Sequence, residues 1–281
     1  QTGGTESAHI INLNLAQTAQ TLGIAMGVGS QRAAIEQKDL ANTYKIRQVA
    51  PDILLLANLG AVQLNYGYGI DQARQAVEMI EADALILHLN PLQEAVQAEG
   101  DRNWKGLYHK IEALVSQLEV PVIAKEVGNG ISASVARRLV SCGVAAIDVA
   151  GAGGTSWSEV EAYRQSDPRR QKIAHCFANW GIPTALSLME VRQAVPNLPV
   201  FASGGIRTGI DAAKAIALGA TLVGSAAPLL EAATDQSQAV YEKFTVLLEA
   251  LRIAAFCAGA STLSELQQVP LRRADNWKIL D

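Results

Sequence analysis

Residues 200–209 read Val-Phe-Ala-Ser-Gly-Gly-Ile-Arg-Thr-Gly, and residues 220–228 read Ala-Thr-Leu-Val-Gly-Ser-Ala-Ala-Pro. Each run begins with apolar residues, as a buried strand does, and ends in small residues. Between the two runs, Ile210, Ala213 and Ala217 follow one another at helical spacing. The stretch therefore predicts a strand, a glycine turn, a helix and a second strand, which together form a βαβ unit.

The same alternation of apolar runs and helical segments extends over most of the chain. Continuous apolar strands are buried on both faces, which is typical of a parallel sheet. We predict an α/β protein with the (β/α)8 TIM-barrel fold, built as a single domain over residues 1–281. Only seven strands can be counted where a barrel has eight, so we expect the first strand to be missing from this sequence. The seven begin near Ile24, Ile53, Ala84, Val122, Ala145, Val200 and Thr221.

Three further segments carry structural expectations. The polar segment 156–179 breaks the alternation and contains Asp-Pro-Arg-Arg at 167–170, so we expect a partly helical excursion at one end of the barrel. Asp71 is a candidate N-cap for a helix over 71–81. Residues 264–281 are expected to form a terminal helix and an irregular end.

The composition argues against several classes of partner. The formal net charge of −4 gives no general attraction to nucleic acid or to an anionic membrane surface. No apolar run is long enough to span a bilayer. The three cysteines, Cys142, Cys176 and Cys257, are scattered and match neither a metal-binding pair nor a disulfide framework. We therefore expect a cytoplasmic protein without a nucleic-acid or membrane partner.

Two turns of the βαβ unit can bind a phosphate group. Gly204 and Gly205 have no Cβ, so an anion can approach their backbone N–H groups. Gly224-Ser225-Ala226 ends the next strand, and the loops after strands seven and eight of such a barrel commonly hold a phosphate. We predict a cofactor that carries a phosphate. The alternative is a pair of tight turns with ordinary packing.

Three cations are expected at the strand ends, where the functional face of a barrel lies. Lys125 leaves an apolar strand and can face an anion or the pyrimidine edge of a flavin; alternatively it extends along the rim into water. Arg32 and Arg207 suit phosphate because a guanidinium donates in a fork. Either arginine can instead pair with a surface carboxylate.

A cluster of polar residues follows the strand that begins at Ala84. His88, Asn90, Gln93 and Glu94 are close in sequence, and a histidine can transfer protons near neutral pH. One carboxylate such as Glu94, together with diphosphate oxygens and waters, is enough to bind Mg²⁺. The alternative is an ordinary helix start with solvated amides and a capping acid.

Six motifs together resemble the type 2 isopentenyl-diphosphate isomerases. They are Gly-Val-Gly-Ser-Gln-Arg at 27–32, Ala-Asn-Leu-Gly-Ala at 57–61, His-Leu-Asn-Pro-Leu-Gln-Glu at 88–94, Lys-Glu-Val-Gly at 125–128, Ala-Gly-Ala-Gly-Gly-Thr-Ser-Trp at 150–157 and Ser-Gly-Gly-Ile-Arg-Thr-Gly at 203–209. The glycine motifs are shared with many FMN barrels. The 88–94 motif, taken with Ser30-Gln31-Arg32, is the specific part.

The resemblance implies an FMN enzyme of isoprenoid biosynthesis. It would interconvert isopentenyl and dimethylallyl diphosphate with reduced FMN as acid and base, Mg²⁺, and NADPH as reductant, in a homo-oligomer. Gln93, His88 and Asn90 would be catalytic, Glu94 would bind Mg²⁺, and Ser30, Gln31, Arg32 and Gln93 would bind substrate. The residues implied for FMN are Thr2, Gly3, Ser30, Asn58, Lys125, Thr155, Gly205, Arg207, Ser225 and Ala226.

The chain also departs from the family pattern. An N-terminal segment with an Arg-Lys pair and a histidine is not in the sequence, Ala150 stands where serine is frequent, and Ala98 replaces a frequent proline. Two other functions stay open. One is an FMN-dependent α-hydroxy-acid oxidase, although that chemistry needs a histidine near the last strands and none follows His175. The other is a non-catalytic FMN-binding protein.

Overall fold

Seven short parallel strands form one sheet in which each strand pairs with its neighbours in sequence. The computed structural model describes residues 3–272. The strands are β1 Met26–Gly27, β2 Leu55–Gly60, β3 Ala84–Leu89, β4 Val122–Glu126, β5 Ala146–Asp148, β6 Val200–Ala202 and β7 Leu222–Val223. Each strand except the last is followed by helical structure before the next one begins. This confirms the predicted α/β class and seven strands of the (β/α)8 barrel, and within the described residues nothing pairs β1 with β7.

Thirteen α-helices lie in the described range. They are α1 Glu6–Leu22, α2 Arg32–Glu36, α3 Ile70–Ile80, α4 Pro91–Val96, α5 Leu107–Val115, α6 Ala133–Ser141, α7 Trp157–Arg164, α8 Pro168–His175, α9 Thr184–Ala194, α10 Gly209–Ala217, α11 Ala227–Asp235, α12 Ser237–Cys257 and α13 Leu263–Leu266. Two 3₁₀-helices, Lys38–Tyr44 and Ala61–Asn65, lie beside β2 in the chain. No helix in the described part of the chain is both long and apolar enough to cross a membrane.

The strands are apolar throughout because they are covered on both sides. One small cluster, Leu56, Ala84, Ile86, Ile123 and Ala146, lies on one face of the sheet with Phe201 against it. The alternate residues of the same strands, such as Leu55 and Leu85, belong to the large core that the sheet shares with the helices. Burial on both faces explains why a continuous apolar run, rather than an alternating one, predicted each strand.

Two local expectations need correction. Asp71 is not the N-cap of α3: Gly69 precedes the helix, and its backbone N–H donates to the Gln72 side chain at 2.8 Å. Asp71 instead lies in the first turn, where an acidic side chain still complements the helix dipole. At the other end of the chain, the predicted terminal helix is the single turn α13, and residues 273–281 lie outside the described range.

The segment that breaks the alternation forms α7 and α8, which contact each other and also α4. Asp167 is the N-cap of α8 and accepts from the Arg169 backbone N–H at 2.8 Å, and Pro168 occupies the first helical turn. The predicted excursion is therefore confirmed, and its contact with α4 brings it to the helix that carries Gln93 and Glu94.

Candidate active site

Three polar side chains stand in one row across neighbouring strand ends. His88 of β3 is in register with Lys125 of β4, and Lys125 is in register with Asp148 of β5. The Lys125 Nζ atom lies 3.2 Å from a carboxylate oxygen of Asp148. Because registered residues of a parallel sheet project from the same face, the row places a possible proton donor or acceptor next to an ion pair.

His88 is held by Asn58. The Nδ1 atom of His88 lies 2.8 Å from the Oδ1 oxygen of Asn58, while the Asn58 amide nitrogen donates to the Val28 carbonyl at 2.9 Å. Since Asn58 Oδ1 can only accept, His88 carries its hydrogen on Nδ1 and leaves Nε2 as an acceptor. Burial and the nearby Lys125 charge lower the pKa of His88 to about 4. The imidazole is therefore neutral at physiological pH.

The short helix α4 gathers the other polar residues of this strand end. Asn90 donates to Gln93 at 3.2 Å and to Glu94 at 2.9 Å. Gln93 in turn donates to Glu161 of α7 at 2.9 Å. The Oδ1 atom of Asn90 is buried and has no hydrogen-bond partner in the described structure. The site thus holds one acceptor oxygen for a group that the protein itself does not supply.

Asp101 links Glu94 to Arg32. Its backbone N–H donates to Glu94 Oε2 at 2.7 Å, and its carboxylate accepts from Arg32 at 3.0 Å and from Gln63 at 2.8 Å. The Arg32 guanidinium also pairs with Glu36 at 2.7 Å. One acidic residue therefore joins the candidate metal ligand to the candidate diphosphate-binding arginine.

Gln31 differs from the expectation that its side chain reaches a diphosphate. The side chain is fully buried, its amide nitrogen donates to the Ala76 carbonyl at 2.8 Å, and its amide oxygen accepts from the Asn58 backbone at 2.9 Å. Both polar groups are therefore engaged with main chain. The neighbouring Ser30 is half-buried, and its carbonyl accepts from the Tyr44 hydroxyl at 2.7 Å.

The two glycine-rich loops pack against each other, backbone to backbone. A Cβ on Gly205 would lie 2.7 Å from the Gly153 carbonyl oxygen, and one on Gly154 would lie 2.7 Å from the Gly205 nitrogen. Both distances are too short for real side chains, so only glycine fits. The Arg207 guanidinium ties the loops together by donating to the Gly153 carbonyl at 2.8 Å.

These loops present unused donors. Within residues 3–272, the backbone N–H groups of Gly204, Gly205 and Ser225 donate to no protein acceptor. Ser225 and the exposed Ala226 immediately precede α11, so that helix adds its N-terminal dipole at the same place. The arrangement fits a phosphate group, which supplies the acceptor oxygens that these donors lack.

The structure describes two of the three remaining residues predicted to bind flavin. Thr155 is exposed and follows the glycines of the 150–155 loop. Gly3 lies against Tyr44, with no room for a side chain between them. Thr2 lies outside the described residues.

The residues fit a substrate-assisted metal site better than a protein cage. In the part of the chain that the structure describes, no group of three or more His, Cys, Asp or Glu residues is arranged to hold a metal ion. Glu94 and the free oxygen of Asn90 nonetheless supply the hard oxygen atoms that Mg²⁺ prefers, and that ion commonly takes its other ligands from phosphate and water.

Sequence reasoning did not identify three of the carboxylates that organise the rim. Asp148 ends a predicted strand, Glu161 lies in the polar excursion, and Asp101 lies in a loop. Besides close neighbours in sequence, each has a partner far along the chain: Arg32 for Asp101, Gln93 for Glu161 and Ser203 for Asp148 are 55 to 69 residues away. Their low exposure is visible only in the folded structure, where Glu161 is 4% exposed and Asp148 is 8% exposed.

Comparison with known proteins gives two kinds of similarity. Residues 70–273 match the family described as FMN-dependent dehydrogenase. The chain is also 68% identical over 270 residues to an isopentenyl-diphosphate delta-isomerase of Synechocystis sp., covering 96% of this chain and 77% of that protein. It is 63% identical over 271 residues to the enzyme of the same name from Stutzerimonas stutzeri, covering 96% of this chain and 78% of that protein.

Solved structures show the same fold at low sequence identity. A mandelate oxidase with an FMN adduct superposes with a TM-score of 0.61 at 20% identity, covering 92% of this chain and 72% of that one. A second structure of mandelate oxidase, with a substituted methylphenylacetate, has the same TM-score of 0.61. At this identity the likeness concerns the arrangement of strands and helices alone.

Proposed function

We propose, from the premise that this chain belongs to the isopentenyl-diphosphate delta-isomerase family within the FMN-dependent dehydrogenases, that it interconverts isopentenyl and dimethylallyl diphosphate. The observation that carries the proposal is a chain of hydrogen bonds at the rim that also bears the glycine loops. Asn90 donates to Gln93 and to Glu94. Asp101 then joins Glu94 to Arg32. A phosphate-binding cradle and a second anion-binding cluster on one rim suit a flavin and a diphosphate substrate together.

FMN is assigned to the glycine loops and the adjacent strand ends. The support is the set of free N–H donors at Gly204, Gly205 and Ser225, beside Arg207. Lys125 is the residue proposed for the flavin ring, because its ammonium emerges from an apolar strand. The other residues in the proposal are Thr2, Gly3, Ser30, Asn58, Thr155 and Ala226.

Mg²⁺ and the substrate diphosphate are assigned to the part of the rim where α2 follows β1 and α4 follows β3. Glu94 is the proposed metal ligand, with the diphosphate and water completing the coordination. Arg32 is the proposed diphosphate contact, held in place by Asp101 and Glu36. Ser30 joins it. The buried side chain of Gln31 acts on this site by fixing the backbone of Asn58 rather than by touching the substrate.

The chemistry requires a proton to be added at one carbon of an unactivated alkene and another to be removed. Reduced FMN would supply the acid and base when bound. Gln93 cannot titrate, so its amide positions the substrate while Glu161 fixes the direction of that amide. The neutral His88 offers Nε2 as a hydrogen-bond acceptor, and Asn90 holds Gln93 and Glu94 at a fixed distance.

The proposal includes three further properties. NADPH as the reductant rests on the family. A homo-oligomer is supported by apolar side chains exposed on α12, where Val246 is 70% exposed and Phe256 is 82% exposed. A cytoplasmic setting is supported by the free thiols of Cys142, Cys176 and Cys257.

The test is an anaerobic assay of the protein with FMN, Mg²⁺, dithionite and isopentenyl diphosphate. We expect dimethylallyl diphosphate only when the flavin is reduced. Glu94→Gln should lower turnover and its Mg²⁺ dependence while FMN stays bound. Glu119→Gln is the matched control, because Glu119 pairs with Arg74 on the exposed surface. Bound FMN with no product under any reductant would contradict the proposal.

The assay should also test a second function, that of a 2-hydroxy-acid oxidase, because the fold is similar to that of mandelate oxidase. That chemistry needs a histidine base near the last strands, whereas His175 lies on α8 with its Nδ1 atom 2.9 Å from Glu159. A 2-hydroxy acid that reduces the bound flavin would favour an oxidase. Flavin that binds without supporting either reaction would favour a non-catalytic FMN-binding protein.

A further inference from the structure

Asp148 is a buried carboxylate for which the proposed function has no role. Its side chain is 12% exposed and lies at the end of β5, beside Lys125 on β4. One oxygen accepts from the Ser203 hydroxyl at 2.8 Å and from the Ala150 backbone N–H at 3.1 Å. The other lies 3.0 Å from the same hydroxyl and 3.2 Å from Lys125 Nζ. Such a buried charge persists only where its partners satisfy it.

The Lys125 ammonium has three oxygen neighbours. It donates to the Glu126 carbonyl at 3.0 Å and to Ser203 Oγ at 3.3 Å, and Asp148 is the charged member of the set. An ammonium has three N–H donors and rotates freely about its stem, so its place depends on these acceptors. Of these three neighbours, only Asp148 attracts the ammonium by its charge. Asp148 also accepts a hydrogen bond from Ser203, the second neighbour.

The backbone after Asp148 supports the same arrangement. Ala150 adopts a φ of 35°, in the left-handed region that residues with a Cβ rarely occupy. Its N–H donates back to Asp148, so the turn into the glycine loop and the orientation of the carboxylate are fixed together. Strain of this kind persists where surrounding contacts require it.

We propose that Asp148 is the positioning residue for Lys125, holding the ammonium at the place from which that lysine contacts FMN. The inference rests on the proposed flavin role of Lys125 and extends it. Asp148 acts through the lysine rather than on the flavin directly. Removing its charge therefore weakens the contribution of Lys125 to flavin binding and to stabilising the reduced ring.

The test uses FMN affinity and the flavin midpoint potential, both measured on the whole protein by titration and by dye equilibration. Lys125→Met should weaken FMN binding roughly tenfold and move the potential to a more negative value. Asp148→Asn should move both quantities in the same direction by a smaller amount, roughly threefold in affinity. In the Lys125→Met background, Asp148→Asn should have no further effect.

A control variant and a second test variant separate the possible outcomes. Asp83→Asn removes a carboxylate at the opposite end of the strands, where Asp83 pairs with Arg47, and should leave the potential unchanged. Ser203→Ala removes the hydroxyl that joins Asp148 to Lys125 and should shift the potential in the direction of Lys125→Met even if Asp148→Asn does not fold.

A positive shift of the potential in Asp148→Asn would overturn the inference, because it would identify Asp148 as a plain countercharge. An effect that persists without Lys125, or no effect at all, would overturn it as well. If Lys125→Met itself matches the unaltered protein in both measurements, the proposed flavin role of Lys125 fails instead.

Discussion

The backbone N–H of Asp101 donates to Glu94 Oε2 at 2.7 Å, so the loop that follows α4 returns to cover the helix. The intervening Gly100 makes this return possible. A Cβ at that position would overlap the carbonyl oxygen of Glu94. The direction of the proposed metal ligand therefore depends on the absence of a side chain six residues later.

Gly100→Ala should displace the Asp101 loop and disturb both Glu94 and Arg32. We expect a loss of about 1–3 kcal/mol in unfolding free energy, as for other overpacked positions, and a larger loss of Mg²⁺-dependent turnover. Chemical denaturation and the isomerase assay measure the two effects. Gly69→Ala is the control, since the nearest atom to a Cβ there is 4.0 Å away. Equal effects of the two substitutions would contradict the role given to Gly100.

Gly205→Ala should prevent the phosphate cradle from forming. Gly205 has a φ of 80°, and a Cβ there would lie 2.7 Å from the Gly153 carbonyl oxygen. We expect FMN affinity to fall by at least about tenfold, because the donor at Gly205 and its facing loop must both move. Fluorescence titration with FMN measures this. Unchanged affinity would show that the cofactor phosphate binds elsewhere.

His88 should stay neutral through the physiological range. Its folded-state pKa of about 4 lies below the ordinary 6.5, so the unfolded chain binds more protons between these values. The stability contribution of neutral His88 is therefore present above pH 6.5 and is lost as the pH falls through about 4. NMR titration of the ring nitrogens should show no protonation between pH 6 and pH 8.

Lys125→Met should raise the pKa of His88, because the lysine charge disfavours the imidazolium. The same NMR titration checks this, and His109 serves as an exposed reference in the same spectrum. A pKa of His88 that does not rise would mean that burial alone keeps the ring neutral.

Glu126 should make stability depend on pH with the opposite sign. Burial raises its pKa to about 7 from the ordinary 4.5, although three backbone N–H groups at Val127, Gly128 and Asn129 oppose the shift. The folded chain then binds the extra proton, so this contribution is complete below pH 4.5 and is lost as the pH rises through about 7. Glu126→Gln should flatten the dependence of unfolding free energy between pH 5 and pH 8. A slope equal to that of the unaltered protein would contradict the assignment.

The strands were predictable because burial on both faces leaves a strong local signal. Runs such as Ala84–Leu89 are continuously apolar, and the structure gives β3 those bounds. Helix caps were less predictable. Asp71 has the chemistry of an N-cap, but the backbone N–H of Gly69 is satisfied by Gln72 and the helix begins one residue earlier.

The positions of several candidate site residues were predictable because they lie at strand ends, while their roles stay predictions. Lys125, Asn58 and His88 were identified because they follow apolar runs in the sequence. Gln31 shows the limit of that reasoning: it follows the first such run, yet its side chain points into the core and binds main chain. The positions of Asp101 and Glu161 depend on residues elsewhere in the chain, so no local pattern could identify them, whereas Asp148 ends an apolar run and could have been found by the strand-end rule.

Glu161 reaches Gln93 from α7, a helix that the repeating strand-and-helix unit of the barrel does not require. The repeats themselves build the loops proposed to bind phosphate, while the inserted helix α7 fixes the Gln93 amide that is proposed to meet the substrate. The two tasks are therefore divided between parts of the chain that can change at different rates. A change in the inserted helix would therefore alter how Gln93 is held while leaving the glycine loops of the repeats as they are.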